Sequence, residues 1–208
     1  MKIELQKAGK RFNREWIFRN ATIEFTSANA YAITGPNGSG KSTLLQAIGG
    51  MLQLSEGAIK LTVDSKQLAD EETYQHISFC APYLDVIEEM TLLEFLDFHN
   101  QFKAFLPSFT AKKIVAEIGL EGAAGKQIRY YSSGMKQRVK LAQAIFSNTA
   151  IILLDEPCSN LDAKGIKLYH SLIHNYCKER LVIVCSNDEV EYSFCKEVFS
   201  VLQYKRPQ

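Results

Sequence analysis

What the sequence has little of narrows its possibilities first. Neither charge sign is in excess, since 24 Lys and Arg stand against 23 Asp and Glu for a formal net charge of +1. A chain so balanced has no overall field that draws in nucleic acid or an anionic membrane surface. Cysteine is scarce, and the five present (Cys80, Cys158, Cys177, Cys185 and Cys195) form no CxxC pair and no Cys/His spacing suited to zinc. They read as reduced, mostly structural thiols of a cytosolic protein. Long apolar runs are missing too: Ile151 to Leu154 and Leu181 to Ser186 are of strand length, far short of the ~20 residues of a membrane span. The opening Met-Lys-Ile-Glu-Leu is not a signal peptide. Any membrane role therefore needs a separate chain to cross the bilayer. There is no repeat, linker or low-complexity segment. Hydrophobic residues make up 46% of 208, enough for a substantial core in one large domain.

What is present is organised around Gly35-Pro36-Asn37-Gly38-Ser39-Gly40-Lys41-Ser42-Thr43, which fits the phosphate-loop pattern G-x-x-x-x-G-K-[ST]. Tyr31 to Thr34 reads as a short strand running into it. Leu44, Leu45, Ile48, Met51 and Leu52 recur at the spacing of one helical face leaving it. A polyphosphate needs many donors close to its oxygens, and backbone N–H groups approach that closely only where side chains are absent. Lys41 is placed to hold the β and γ phosphates, and Ser42, with Thr43 beside it, to ligate Mg²⁺.

Alternation at Ile3 and Leu5, then Ala21, Ile23 and Phe25, then Ile59, Leu61 and Val63, predicts half-buried strands, with Gly57 as a turn. His76 to Cys80 is a further strand candidate. From Pro82 the pattern turns helical. Thr91 and Glu94 form a capping box for a helix whose Leu92, Phe95, Leu96, Phe102, Phe105 and Leu106 share a face until Pro107. The phenylalanines serve either a docking surface or the core of a small helical subdomain. A second helix is expected over 110–118, with Gly119 as C-cap, and a third after Gly134. Next come a strand at 150–154, a helix near 164–179, a strand at 181–185 and a last strand near 197–203. Strands alternating with helices imply an α/β core.

Two more clusters carry chemistry. Asp155-Glu156 ends an apolar strand, where α/β sheets bind ligands. Asp155 is positioned to hold Mg²⁺ and Glu156 to accept a proton from an attacking water. Tyr131-Ser132-Ser133-Gly134-Met135-Lys136-Gln137-Arg138 opens a helix with small and hydroxyl residues, a second source of anion-seeking N–H groups.

Taken with Ser159-Asn160-Leu161-Asp162, these stretches resemble the ATP-binding cassette family, the nucleotide-binding subunits of ABC transporters, over nearly the whole chain. The resemblance implies a RecA-like P-loop NTPase core with a mostly parallel sheet, an N-terminal antiparallel β subdomain and an inserted helical subdomain. Residues 1–82 and 141–208 would form the core and 83–140 the signature-bearing insert. It implies that Phe12 stacks on adenine, although locally Phe12 reads equally well as a core aromatic. Gly35 to Thr43 corresponds to Walker A, Ile151 to Glu156 to Walker B with Glu156 as catalytic base, and Ser159 to Asp162 to the D-loop. Ser132, Ser133 and Gly134 lie in the signature, Ser132 and Gly134 being those expected to touch a γ-phosphate held by a second subunit. ATP and Mg²⁺ are the implied cofactors, and a second cassette and an integral membrane subunit the implied partners. The expected location is the inner face of the cell membrane.

The chain departs from the family pattern in three places. Tyr131, Ser133 and Met135 replace the commonest signature residues. Pro82 falls where a glutamine usually reaches the metal and the water, and Asn187 stands at the switch histidine. An amide can donate a hydrogen bond but cannot shuttle a proton between pH 5 and 8. The short ending after the last strand is expected to leave no appended regulatory domain and inclines the reading to ABC-2 type or haem exporters. Two other readings stand beside this one: a soluble ABC protein acting on nucleic acid or the ribosome through Lys136, Arg138 and Lys140, and a nucleotide sensor that does not hydrolyse.

Overall fold

A computed structural model describes residues 1–63 and 65–205. In chain order, β1 (Lys2–Phe12), β2 (Glu15–Thr26) and β3 (Ala30–Thr34) lead into α1 (Lys41–Ile48), β4 (Glu56–Val63), β5 (Lys66–Gln67), α2 (Asp70–His76) and β6 (Ile77–Cys80). Then come α3 (Leu92–Phe102), α4 (Ala111–Glu117), α5 (Ser133–Phe146), β7 (Ile151–Asp155), α6 (Ala163–Tyr176), β8 (Leu181–Cys185), α7 (Glu189–Tyr192) and β9 (Glu197–Ser200).

The strands form two sheets. One is antiparallel in the order β2-β1-β4-β5, and the other parallel in the order β6-β7-β8-β3-β9. β7 and β8 are buried along their whole length, as expected of strands covered on both faces. Their alternate residues enter different cores. Ile151, Leu153, Leu181 and Ile183 pack with Ile3, Leu5, Phe25 and Leu45, between the two sheets. Ile152, Leu154, Val182 and Val184 pack with Leu92, Ile114, Val139 and Phe146 of the helical side. The twofold period of a strand thus splits one apolar run between two layers.

Several expected boundaries shift. α1 stops at Gly49-Gly50, which leaves Met51 exposed and off the helical face. Gly57 lies inside β4, where pairing with β1 slips between Gln6 and Gly9, and so is not a turn before the strand. α3 keeps its Thr91–Glu94 capping box but ends at Phe102, well before Pro107. From Lys103 the backbone is extended, and Leu106 donates its N–H to Phe146 O at 2.8 Å, so pairing with the end of α5 wins over another helical turn. Phe95 and Phe105 are buried while Phe98 and Phe102 are exposed, so the phenylalanines serve both core and surface. α2 has no apolar stripe and was not expected. β9 ends at Ser200 in a 3₁₀ turn over Val201–Tyr204.

One buried charge fixes the far end of α5. The Arg180 guanidinium donates to Ile145 O at 2.5 Å, Ser147 O at 2.6 Å and Thr149 O at 2.7 Å. These carbonyls include helix-end acceptors that lack an intrahelical donor, and the cation also suits the negative end of the helix dipole. Burial lowers the pKa of Arg180, yet a guanidinium stays charged at any working pH. Arg180→Met should therefore cost about 2–4 kcal/mol, because it strands several acceptors at once. Arg180→Lys should recover less than half of that loss, since one ammonium cannot span the fork. Urea midpoints of the three proteins check this, and unchanged midpoints contradict it.

Candidate active site

The parallel register sets four strand ends side by side. Cys80 pairs with Leu154, Asp155 with Cys185, and Cys185 with Ile33. The segments that leave β6, β7, β8 and β3 therefore open on one side of the sheet, where ligands of α/β folds bind.

From β3 the chain enters the glycine loop with φ of 148° at Gly35, 74° at Gly38 and 103° at Gly40, conformations open mainly to glycine. At Gly40 a Cβ would stand 2.4 Å from Ile17 Cγ2, so the loop needs glycine for space as well as for torsion. Lys41 is buried and its ammonium crosses the loop, donating to Gly35 O at 2.7 Å and Pro36 O at 3.3 Å. Ile17, Asn37 to Thr43 and Glu156 line a cleft of about 250 Å³. Asn187, just past β8, donates its amide to Asn37 Oδ1 at 2.9 Å. The sheet thus brings together every expected residue of the loop, Asp155, Glu156 and Asn187.

Asp155 is the anomaly of this site. It is 1% exposed, and neither carboxylate oxygen has a hydrogen-bond partner. Burial pushes its pKa up, opposed in part by the Lys41 charge. A buried carboxylate normally finds partners. An orphaned one beside a serine hydroxyl suits a hard cation that binds oxygen. No cluster of three His, Cys, Asp or Glu able to cage a metal occurs among the described residues. Glu156 follows with φ 43°, its N–H held by Cys185 O at 2.9 Å. This left-handed backbone turns the chain away from β7 directly after Asp155.

A second cleft, of about 270 Å³, is lined by Ser132, Ser133, Gly134, Met135, Arg138, Asn160, Leu161 and Asp162. None of these lines the first cleft. Ser132 caps α5 through its Oγ, which accepts from Met135 N at 3.2 Å, and Ser132 and Ser133 are both exposed. A Cβ on Gly134 would stand 2.9 Å from Asn160 O, so α5 rests directly on the backbone of the 159–162 loop. Asp162 caps α6, accepting from Gly165 N at 2.7 Å, and faces Arg138 at 3.7 Å.

Phe12 lies at the tip of the β1–β2 hairpin, 47% exposed, with Lys10 Nζ 5.0 Å from its ring centroid. Its reading as a core aromatic is therefore wrong. Lys136 pairs with Glu88 at 2.5 Å, Arg138 faces Asp162, and Lys140 donates to Pro82 O at 2.9 Å. The basic cluster is engaged within the chain.

Three residues here escaped the sequence reading. Gln137 donates to Pro157 O at 2.7 Å, tying α5 to the turn after Glu156. Glu191 accepts from Cys158 N at 2.7 Å, and burial raises its pKa. Tyr83, next to Pro82, sets its ring 6.4 Å from that of Phe79. Only for Gln137 was there a signal: it lies one turn on from Gly134 in the stretch already singled out.

The family model described as ABC transporter matches residues 18–159. An uncharacterised ABC transporter ATP-binding protein, YybJ of Bacillus subtilis (strain 168), is 31% identical over 198 residues, covering 91% of this chain and 86% of its own. The cytochrome c biogenesis ATP-binding export protein CcmA of Xylella fastidiosa (strain 9a5c) is 33% identical over 162 residues, 74% of this chain and 72% of its own. Among solved structures, the ATP-binding cassette MJ0796, in a dimeric post-hydrolysis state bound to ADP and Pi, superposes with a TM-score of 0.81 at 25% identity, over 95% of this chain and 93% of that one.

The orphaned carboxylate generates a stability prediction. Folding raises the Asp155 pKa above its ordinary 3.8, so the stability linked to this group is whole below that value and lost as pH rises through the folded one. Asn does not titrate. Asp155→Asn should therefore be more stable than wild type at pH 7 by about 1–3 kcal/mol, the usual cost of an unsatisfied buried group, and the gap should close as pH falls toward 4. Denaturation of both proteins across that range checks it. A variant less stable at every pH contradicts the account.

Proposed function

Because the chain belongs to the ABC transporter family, we propose that it is an ATP-binding and hydrolysing subunit that pairs with a second cassette to drive an integral membrane subunit, in the direction of export. The observation that carries this reading is the separation of two half-sites. One cleft is lined by the phosphate loop with Lys41 and Ser42 and by Glu156, next along the strand end from Asp155, while Ser132 and Ser133 stand exposed, with Gly134 half-buried beside them, in another. A nucleotide held by one copy is covered only when another copy brings its signature and Asp162 to it.

In this proposal the loop amides and Lys41 hold the phosphates, and the Phe12 ring lies open to stack on the base. Ser42 and Asp155 hold Mg²⁺, which when bound supplies charge neutralisation on the phosphate oxygens. Glu156 orients water and takes its proton as the oxygen attacks the γ phosphorus, and ADP leaves as the bond to its β-phosphate oxygen breaks. Asn187 donates a hydrogen bond toward the γ-phosphate. Residues 83–140 form the helical unit that carries the movement outward. Between this unit and β6, Phe79, Leu84, Ile87, Phe95, Phe98 and Phe102 line a groove of about 440 Å³, which supports docking of the membrane subunit. No helix of the described residues is long and apolar enough to cross a membrane, so that partner places the chain at the inner face of the cell membrane. The name of the CcmA relative as an export protein supports the direction.

The engaged basic cluster gives the nucleic-acid reading no support. Pro82 and Asn187 favour one second reading, a nucleotide switch with little turnover. We expect slow hydrolysis, about 10- to 1000-fold below a complete site, as for one missing electrostatic group. Phosphate release by the purified chain, with a membrane partner where one co-purifies, should be measurable and should vanish in Glu156→Gln. Asn187→His should raise it. Equal release by wild type and Glu156→Gln contradicts hydrolysis and leaves the switch.

A further inference from the structure

Resting on the hydrolytic reading of the nucleotide site, we propose that Gln137 and Glu191 are positioning residues that clamp the turn after β7 and so aim the Glu156 carboxylate. Residues 156–162 join the two clefts: Glu156 lines the first, and Asn160, Leu161 and Asp162 line the second. At the head of this segment every backbone polar group has a partner. Glu156 N donates to Cys185 O at 2.9 Å, Glu156 O accepts from Ser159 N at 3.1 Å, and Cys158 O accepts from Leu161 N at 2.9 Å. Pro157 has no N–H to give. Two groups remain, and each is served by a side chain from far along the sequence. Pro157 O accepts from Gln137 Nε2 at 2.7 Å, and Cys158 N donates to Glu191 Oε1 at 2.7 Å.

These two groups are the C=O and N–H of a single trans peptide plane, which point opposite ways. The two side chains therefore grip that plane from both sides and fix its rotation. Because the Pro157 ring locks its own φ, only ψ of Glu156 and ψ of Pro157 separate the gripped plane from the Glu156 Cα. Glu156 itself has φ 43°, a conformation that a non-glycine residue keeps only where its surroundings hold it. Both clamps are enclosed and anchored. Gln137 is 3% exposed and Glu191 5%, so losing either bond would leave a buried group unserved. Gln137 sits on α5, whose first turn lines the second cleft. Glu191 O accepts from the buried Tyr169 hydroxyl at 2.9 Å, and Glu191 N donates to Asp188 O at 3.0 Å, next to Asn187. The turn is thus held between the helix that begins with Ser133 and Gly134 and the segment that carries Asn187.

Methionine is similar in length to both side chains and lacks their hydrogen-bonding groups, whereas glutamine at 191 keeps the accepting oxygen. Phosphate release at varied ATP is measured per folded chain, beside amide exchange of the 156–162 peptide and the thermal melt. Glu191→Met is expected to lower kcat about 10- to 100-fold, the scale for a displaced catalytic group, with KM for ATP unchanged and exchange of that peptide faster. Glu191→Gln is expected to restore kcat to within about threefold of wild type. Gln137→Met should repeat the loss from the other side of the plane, so one clamp stays testable should the other variant fail to fold. A Met variant that folds with kcat within about threefold of wild type overturns the proposal. So does Glu191→Gln as slow as Glu191→Met, or a lowered melting temperature with kcat unchanged, which marks a packing role. Variants that match an active wild type defeat this inference alone, whereas a wild type that releases no phosphate defeats the hydrolytic reading as well.

Discussion

The constraint on which the rest of the molecule depends is the common level at which β3, β6, β7 and β8 end. Parallel pairing of strands apolar on both faces leaves no freedom of register, since a slip of one residue would exchange the side chains of the two cores. With Leu154 locked between Cys80 and Val184, the next residue along has to leave the apolar layer as Asp155. The glycine loop, the strained Glu156 and the Asn187 amide reach the same place because their strands stop at the same height.

Three buried ionic groups show how differently the fold treats charge. Arg180 is enclosed and fully served by carbonyls at the end of α5, and it acts as a structural pin. Lys41 is enclosed but rests on two loop carbonyls, contacts that an anion in the cleft can replace. Asp155 is enclosed with no partner at all. The cost of such a group appears as reduced stability in neutral solution.

Much of this was legible in the sequence, for identifiable reasons. The glycine loop reveals itself because few sequences combine that glycine spacing with Lys-Ser before an apolar helical stripe, and Ile151 to Leu154 marks Asp155 as the end of a buried strand. The Thr91–Glu94 box located the start of α3 because both halves of the cap are local. Its end was not legible, since the extended stretch after Phe102 is fixed by a bond to Phe146, more than forty residues on. Glu191 sits in the polar run Asn187 to Glu191 and looks solvated, yet it is buried against Cys158.

The central claim is that one copy holds only half of a working site and that nucleotide joins two copies. Sedimentation velocity of Glu156→Gln, which retains every phosphate and metal contact but removes the base, tests this most directly. The account predicts a monomer with ADP and a dimer at saturating ATP with Mg²⁺, reverting to monomer when Ser133→Trp, at an exposed position, blocks the second cleft. A chain that stays monomeric with ATP bound, or dimerises equally with the blocked cleft, would contradict it.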